Sequence, residues 1–210
     1  MKFSDGFWLN KPGYEINYAC EPYEIHVSDH AIHVVATHDV ITSRGQTLDG
    51  PVLDITFAST LENTIKVTIE HFRGGMEKTP EFHLYEDDGF FPVTVETDEY
   101  AELISGKARV RINKIKGWSV EYYYGDKLLT KEGWRTTSYI TEQPYHTQER
   151  MLAQQNFNRF YADDQDPRPS YMREMLNLSV GESVYGFGEK FTTFVKNGQS
   201  VQIWNGDGGT

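Results

Sequence analysis

The feature that most constrains the fold of this chain is a two-residue alternation of apolar and polar side chains. The segment Val52 to Ala58 places Leu53, Ile55 and Phe57 on one face and polar side chains on the other. The segment Lys107 to Asn113 alternates in the same way. Successive side chains of a β-strand point to opposite faces, so this spacing indicates strands with one buried side. The sequence therefore predicts an all-β chain built from antiparallel sheets.

Turn residues between the alternating segments predict antiparallel hairpins. The clearest hairpin joins Trp118–Tyr124 to Lys127–Thr130 through the dipeptide Gly125-Asp126, a pair of residues that suits a tight turn. A second hairpin is predicted around the turn Ser28–His30. The full set of predicted strands is 24–27, 31–36, 52–58, 63–72, 92–96, 101–104, 107–113, 118–124, 127–130, 171–178 and 201–204.

Two regions lack the strand pattern. Residues 1–22 combine proline and glycine with aromatic residues, which favours an irregular leader packed across a sheet. Between residues 134 and 170 the alternation fades, and residues 147–161 are predicted to form a short helix.

Composition excludes several classes of partner. The chain of 210 residues has 20 Lys plus Arg against 31 Asp plus Glu, a formal charge of −11. This negative field repels a phosphate backbone and an anionic membrane surface. No apolar run approaches the roughly 18 residues that span a bilayer, and the start does not read as a secretion signal. The one cysteine, Cys20, has no partner for an internal disulfide, so we expect a cytoplasmic protein.

The sequence offers no pattern for a metal or a nucleotide. Four histidines, His26, His30, His33 and His38, lie close together, but no cysteine pair or His-Glu-x-x-His spacing accompanies them. The segment Gly186–Lys190 lacks the third glycine of a dinucleotide fingerprint and the spacing of a P-loop. We therefore expect neither a metal nor an organic cofactor.

The last segment of the chain carries the residue types that suit a sugar ligand. Glycine turns punctuate the stretch from Tyr185 to Thr192 and the stretch from Trp204 to Thr210. In the second stretch Trp204, Asn205 and Asp207 lie beside one another. A sugar presents an apolar ring face to an aromatic side chain and a rim of hydroxyls to amides and carboxylates. The alternative is that both stretches are ordinary turns between strands.

This segment resembles the N-terminal β-sandwich of glycoside hydrolase family 31, most closely its α-xylosidase branch. In that family a Tyr-Gly-Leu-Gly-Glu-Arg segment precedes an Asn-Arg-Asp loop, and here Tyr185–Lys190 and Asn205–Asp207 match them. Residues 1–9 and 69–75 are similar to the same branch. The chain departs from the pattern at Phe187 for Leu, Lys190 for Arg and Gly206 for Arg. The last change removes a cation from the loop.

The resemblance implies a fold and a role. It implies a β-sandwich of the galactose-mutarotase-like type, with residues 1–210 as a single N-terminal domain that ends before its last strands and before a (β/α)8 barrel. The whole enzyme is then a retaining α-xylosidase or α-glucosidase acting on an α-linked oligosaccharide, and both catalytic carboxylates lie on the barrel. No catalytic residue is expected in this chain, and residues 134–170 are an insertion. The implied substrate-binding residues are Trp204, Asn205, Asp207, Gly208 and Thr210, and the implied loop supports are Glu189 and Phe191.

Two other functions stay open at this point. A free-standing carbohydrate-binding module needs an exposed aromatic platform, which Tyr122–Tyr124 could supply. An aldose epimerase of the same fold needs a general acid and base, and Glu70 beside His71 is the adjacent pair of those types. If strands that complete the sandwich lie beyond Thr210, an open sheet edge remains, which predicts a homo-oligomer or a mobile end.

Overall fold

The structure is a computed structural model that describes residues 2–48, 50–72, 89–115, 117–142, 169–188 and 190–203. Its contacts group into two compact units, residues 12–177 and residues 1–11 together with 178–210. Within the described ranges no helix is long and apolar enough to cross a membrane. The one helical element there is a short 3₁₀ turn at Arg44–Leu48.

The described residues form fourteen strands. In chain order they are β1 Ser4–Asp5, β2 Leu9–Asn10, β3 Tyr14–Tyr18, β4 Glu21–Val27, β5 Ala31–Thr37, β6 Val52–Ala58, β7 Lys66–Glu70, β8 Val93–Glu96, β9 Tyr100–Ser105, β10 Ala108–Asn113, β11 Val120–Tyr124, β12 Lys127–Glu132, β13 Ser138–Glu142 and β14 Ser170–Arg173. Strands β1 and β2 pair in the unit that contains residues 1–11. The other twelve belong to the unit of residues 12–177.

The described part of the unit of residues 12–177 contains three antiparallel sheets. One has the order β12-β11-β10-β9-β8, the second β4-β5-β6-β7 and the third β14-β13-β3. All neighbours in the first two sheets are consecutive strands of the chain, the arrangement typical of antiparallel hairpins. The third sheet instead joins strands that are far apart in sequence, because β13 pairs with both β3 and β14.

The core lies between the four-stranded and the five-stranded sheet. Phe57 and Ile55 of β6 are fully buried and belong to one apolar cluster with Leu103 of β9 and Val110 of β10. Burying an apolar side chain of this size contributes about 1.5–3 kcal/mol, so the alternation that predicted the strands also supplies the cohesion of the two layers. The prediction of an all-β sandwich is confirmed.

The outer face of the five-stranded sheet carries a buried carboxylate held by two cations. Glu102 of β9 is 5% exposed, and its Oε1 lies 2.7 Å from Nε of Arg111 and 3.5 Å from Nε of Arg109. The two guanidinium groups lie over the rings of Tyr100 and Tyr123, at 4.1 and 4.5 Å from the ring centroids. Such stacked, ion-paired arginines shield the carboxylate from water and fasten β9, β10 and β11 to one another.

Four sequence predictions about regular structure are wrong. Of the predicted strand at 171–178, only residues 171–173 lie in β14. Residues 1–22 are not an irregular leader, because Tyr14–Tyr18 forms β3. The region after residue 134 contains the strand β13. Residues 201–203 do not form a strand. The predicted helix at 147–161 lies outside the described residues.

Candidate functional site

The structure describes only part of the predicted sugar-binding region. All five residues predicted to bind substrate, Trp204, Asn205, Asp207, Gly208 and Thr210, lie outside the described residues, as does the predicted loop support Glu189. The other predicted support, Phe191, is described and is 93% exposed. What the structure does show is the segment that leads to the predicted loop, from Leu178 to Ile203.

The glycine-rich part of this segment has the unusual backbone that its sequence predicts. Gly186, Phe187 and Gly188 have φ angles of 103°, 67° and 76°. Residues with side chains rarely adopt positive φ, and glycine adopts it readily. Phe187 thus has one glycine on each side. These three consecutive residues with positive φ turn the chain within a very short span.

A network of hydrogen bonds fixes the two ends of this turn together. The backbone N–H of Lys196 donates to the Val184 carbonyl oxygen at 2.8 Å, and the N–H of Val184 donates to Oδ1 of Asn197 at 2.8 Å. The same asparagine donates through Nδ2 to the Glu182 carbonyl oxygen at 2.9 Å. The segment is thus a defined loop rather than a loose connection.

Lys196 closes the loop from inside. This lysine is only 7% exposed, and its Nζ donates to Oγ1 of Thr192 at 2.6 Å and to the Thr193 carbonyl oxygen at 2.7 Å. A buried ammonium group needs such partners, because an unpaired buried cation is costly. The lysine therefore holds residues 192–196 in a tight curve just before the predicted sugar-binding residues.

Large apolar side chains of the same unit face outward. Residues of this type with more than half of their surface exposed are Trp8, Leu9, Leu178, Val180, Tyr185, Phe191, Phe194 and Ile203. The rings of Tyr185 and Phe194 lie 5.1 Å apart, centroid to centroid. A concentration of exposed apolar surface in about forty residues is typical of a surface that another protein part covers.

The Glu70–His71 pair borders a cavity in the unit of residues 12–177. The cavity of about 570 Å³ is lined by residues at the end of β7, by Tyr139 and by β14. Nδ1 of His71 lies 2.9 Å from the Val52 carbonyl oxygen and donates to it in the tautomer that carries the proton on Nδ1. The ring centroids of His71 and Tyr139 are 4.4 Å apart. Adjacent residues of an extended chain project in opposite directions, an arrangement unsuited to an acid and a base that act on one sugar.

The three consecutive tyrosines do not form a flat aromatic platform. Tyr122 points inward and donates its hydroxyl to Glu132. Tyr123 points outward, but arginine side chains lie over its ring. Tyr124 is about half exposed and has Lys107 beside its ring. The alternation of a strand thus separates the trio, which removes the surface that a free-standing sugar-binding module requires.

Among the described residues no group of three or more His, Cys, Asp or Glu side chains is arranged to hold a metal ion. Two of the clustered histidines nevertheless meet. His26 and His33 are directly opposite each other in the β4–β5 pair, with ring centroids 6.2 Å apart. Their nearest carboxylates are those of Glu24 at 3.3 Å and Asp54 at 3.5 Å.

Sequence reasoning missed the buried carboxyl group of Glu132 in the unit of residues 12–177. The carboxyl of Glu132, at the end of β12, is 2% exposed and accepts hydrogen bonds from Trp118, Tyr122 and Thr137. Burial, followed by the charge of Glu132, raises the pKa of Tyr122. The signal in the sequence was a glutamate placed opposite Val120 on the inward face of the clearest hairpin.

The family follows from a direct comparison. The model of the glycosyl hydrolase 31 N-terminal galactose mutarotase-like domain matches residues 53–210. The chain belongs to this domain family. It is 33% identical over 210 residues to the α-xylosidase XylQ of Lactiplantibacillus pentosus and 31% identical over 218 residues to an α-xylosidase of Emericella nidulans. All of this chain is covered in both alignments, but only 24% and 26% of those proteins. The chain therefore spans about a quarter of the length of these relatives.

Proposed function

We propose that this chain is the N-terminal, non-catalytic domain of a retaining α-glycosidase that removes terminal α-linked xylose or glucose from an oligosaccharide. The observation that carries the proposal is the end-to-end alignment with two proteins named α-xylosidases, each about four times as long. In this proposal the reaction takes place on the part of the enzyme that corresponds to the remaining three quarters of the relatives.

The chemistry of the described residues supports a non-catalytic role. Retaining hydrolysis needs two carboxyl groups about 5 Å apart that both reach the substrate. Glu132 and Glu174 interact electrostatically, but Glu132 is buried and its oxygens already accept three hydrogen bonds. A carboxylate in that state cannot attack a sugar. Within the described part of the chain this pair therefore has a structural role.

The loop and the exposed apolar surface of the unit formed by residues 1–11 and 178–210 support a role at the substrate pocket. Lys196 and the turn at 186–188 build a fixed loop, which directs the chain into the residues that resemble the family's substrate loop. The exposed apolar side chains around it suit burial against the catalytic barrel. We infer that the loop at 204–210 closes one wall of the pocket and that Asp207 accepts hydrogen bonds from sugar hydroxyls.

The substitution Asp207→Ala in the longer enzyme tests this role. A hydrogen bond between a carboxylate and a hydroxyl is worth about 1.5–3 kcal/mol, so we expect kcat/KM for an aryl α-xyloside to fall about tenfold or more. The control is Asp126→Ala, in the exposed turn between β11 and β12, which we expect to leave kcat/KM unchanged. Thermal unfolding of both variants checks that the fold is intact. An unchanged kcat/KM for Asp207→Ala shows that the loop does not contact the substrate.

A further inference from the structure

Two histidines meet on the outward face of the four-stranded sheet. His26 of β4 and His33 of β5 are direct partners in the antiparallel pair, and their ring centroids are 6.2 Å apart. Side chains that lie directly opposite each other in such a pair have Cβ atoms about 4.5–5.5 Å apart. One nitrogen of each ring can therefore reach the same ion, although the spacing of the two residues in the chain matches no metal-binding motif.

A carboxylate lies beside each of the two rings. Nε2 of His26 is 3.3 Å from Oε2 of Glu24, and Nε2 of His33 is 3.5 Å from Oδ1 of Asp54. A metal-binding histidine commonly donates one ring N–H to a carboxylate, so that its other nitrogen keeps a lone pair for the ion. The two carboxylates here favour a proton on Nε2 of each ring, which leaves Nδ1 of each as the ligand atom. In the part of the chain that the structure describes, neither Nδ1 takes part in a hydrogen bond.

The face of the sheet around the histidines is acidic. The next row of paired positions on that face runs from Glu24 through Val35 and Asp54 to Glu70. The row of the histidines continues through two threonines. These eight described positions thus carry three carboxylates and no lysine or arginine. Their negative potential attracts a cation to the pair.

The backbone under the two histidines is fixed, while their rings are open to solvent. The inward-facing neighbours Ile32 and Val34 on β5 are fully buried, so the core holds the strand in place. The side chains of His26 and His33 are 67% and 39% exposed, so each ring can rotate and an ion can reach it from water. Two nitrogens bound to one tetrahedral ion at 2.0–2.1 Å lie about 3.4 Å apart, and rotation of the rings can bring the two Nδ1 atoms to that separation.

We propose that His26 and His33 form a chelating site for a divalent transition-metal ion of the Zn²⁺ and Ni²⁺ class. Imidazole nitrogen suits these ions, whereas Mg²⁺ and Ca²⁺ prefer oxygen ligands. Among the described residues no group of three or more His, Cys, Asp or Glu side chains is arranged around a metal position. The two imidazoles are therefore the protein ligands, and water fills the other positions. Structural zinc sites have four protein ligands, so an ion with two exchanges with solvent.

The first test is titration of the untagged 210-residue chain with zinc chloride in a calorimeter. Loss of a carboxylate that orients a ligand typically weakens metal binding about 10–100-fold, and loss of a ligand should weaken it at least as much. We therefore expect His26→Gln and His33→Gln each to lower the zinc affinity about tenfold or more. The control is His30→Gln, in the turn between the two strands, where the ring lies 5.1 Å from that of Phe91; its affinity should be unchanged. Zinc affinity that is retained in His26→Gln or in His33→Gln overturns the proposal.

The second test separates chelation from simple attraction of cations to an acidic face. Magnesium chloride in excess should leave zinc binding unchanged, whereas nickel chloride should compete with it. In ¹H–¹⁵N spectra of the imidazole rings, zinc should shift the Nδ1 resonances of His26 and His33 and leave that of His30 in place. Thermal unfolding without metal checks that each variant keeps its fold. Competition by magnesium equal to that by nickel, or histidine resonances that zinc does not shift, contradicts the proposal.

Discussion

The hydroxyl of Tyr122 offers a quantitative test of how the buried carboxylate of Glu132 is stabilised. Tyr122→Phe removes one oxygen atom and leaves the shape of the side chain otherwise unchanged. That oxygen donates to Oε1 of Glu132 at 2.5 Å, in a site where the carboxylate is 2% exposed. Water cannot replace the lost donor, so the cost should be that of a hydrogen bond to a charged group, about 1.5–3 kcal/mol. At a urea m value of about 2 kcal/mol/M, the unfolding midpoint should fall by about 1 M.

The next residue of the same strand provides the matched control. Tyr123 also donates its hydroxyl to a glutamate, since it lies 2.6 Å from Oε2 of Glu121, but this pair is on the outer face of the sheet. Water can take the place of the hydroxyl there, so Tyr123→Phe should change the free energy of unfolding by about 0.5 kcal/mol or less. If both substitutions have the same effect within about 0.5 kcal/mol, burial does not strengthen the hydrogen bond between Tyr122 and Glu132.

Two hairpin glycines with the same backbone angle give the remaining predictions. Gly106 and Gly125 both have φ of 58°, but a Cβ at Gly106 would lie 2.6 Å from Oδ1 of Asn63, whereas a Cβ at Gly125 would meet nothing within 4 Å. Gly125→Ala should therefore cost only the left-handed backbone penalty, about 1–2 kcal/mol. Gly106→Ala should cost more, because it also displaces the Asn63 side chain that accepts the Lys107 N–H at 2.7 Å. Equal losses of thermal stability would show that the Asn63 contact is unimportant.

The sequence best predicted the hairpins, because their strands pair with residues that are close by in the chain. The hairpins β4–β5 and β11–β12 follow from period-two alternation joined by short turns, and both signals lie within about fifteen residues. The placement of Tyr122, Tyr123 and Tyr124 on alternate faces of the sheet follows from the same rule, since neighbouring side chains of a strand cannot share a face. Local pattern thus sufficed for most strands of the two main sheets.

The elements that sequence reasoning missed are those that depend on distant partners. Strand β3 pairs with β13, more than a hundred residues away. Tyr14, Ile16 and Tyr18 alternate with polar residues, but the surrounding prolines and glycines dominated the interpretation of that region. The register of β4 and β5 places His26 and His33 directly opposite each other, which their spacing in the sequence does not reveal. Pairing register is set by turn geometry and burial over the whole hairpin, which composition does not reveal.

The candidate site shows a different limit. A tryptophan, an asparagine and an aspartate in a glycine-rich stretch are compatible with sugar binding, yet the same residues are common in ordinary turns. The expectation for residues 204–210 came from the resemblance to the glycoside hydrolases, not from local chemistry. The buried carboxyl group of Glu132 was missed for the opposite reason. Its hydrogen-bond donors Trp118 and Thr137 lie on other segments of the chain, and no local spacing connects them to it.

The proposed role requires that this domain shapes a pocket without carrying out the reaction. Its most direct test is hydrolysis of an aryl α-xyloside by the purified 210-residue chain, measured beside a longer protein that contains the same domain and the part corresponding to the rest of the relatives. We predict that the longer protein releases the aryl group and that the 210-residue chain releases none above the buffer rate. Release by the chain alone, at a rate proportional to its concentration, would contradict the account.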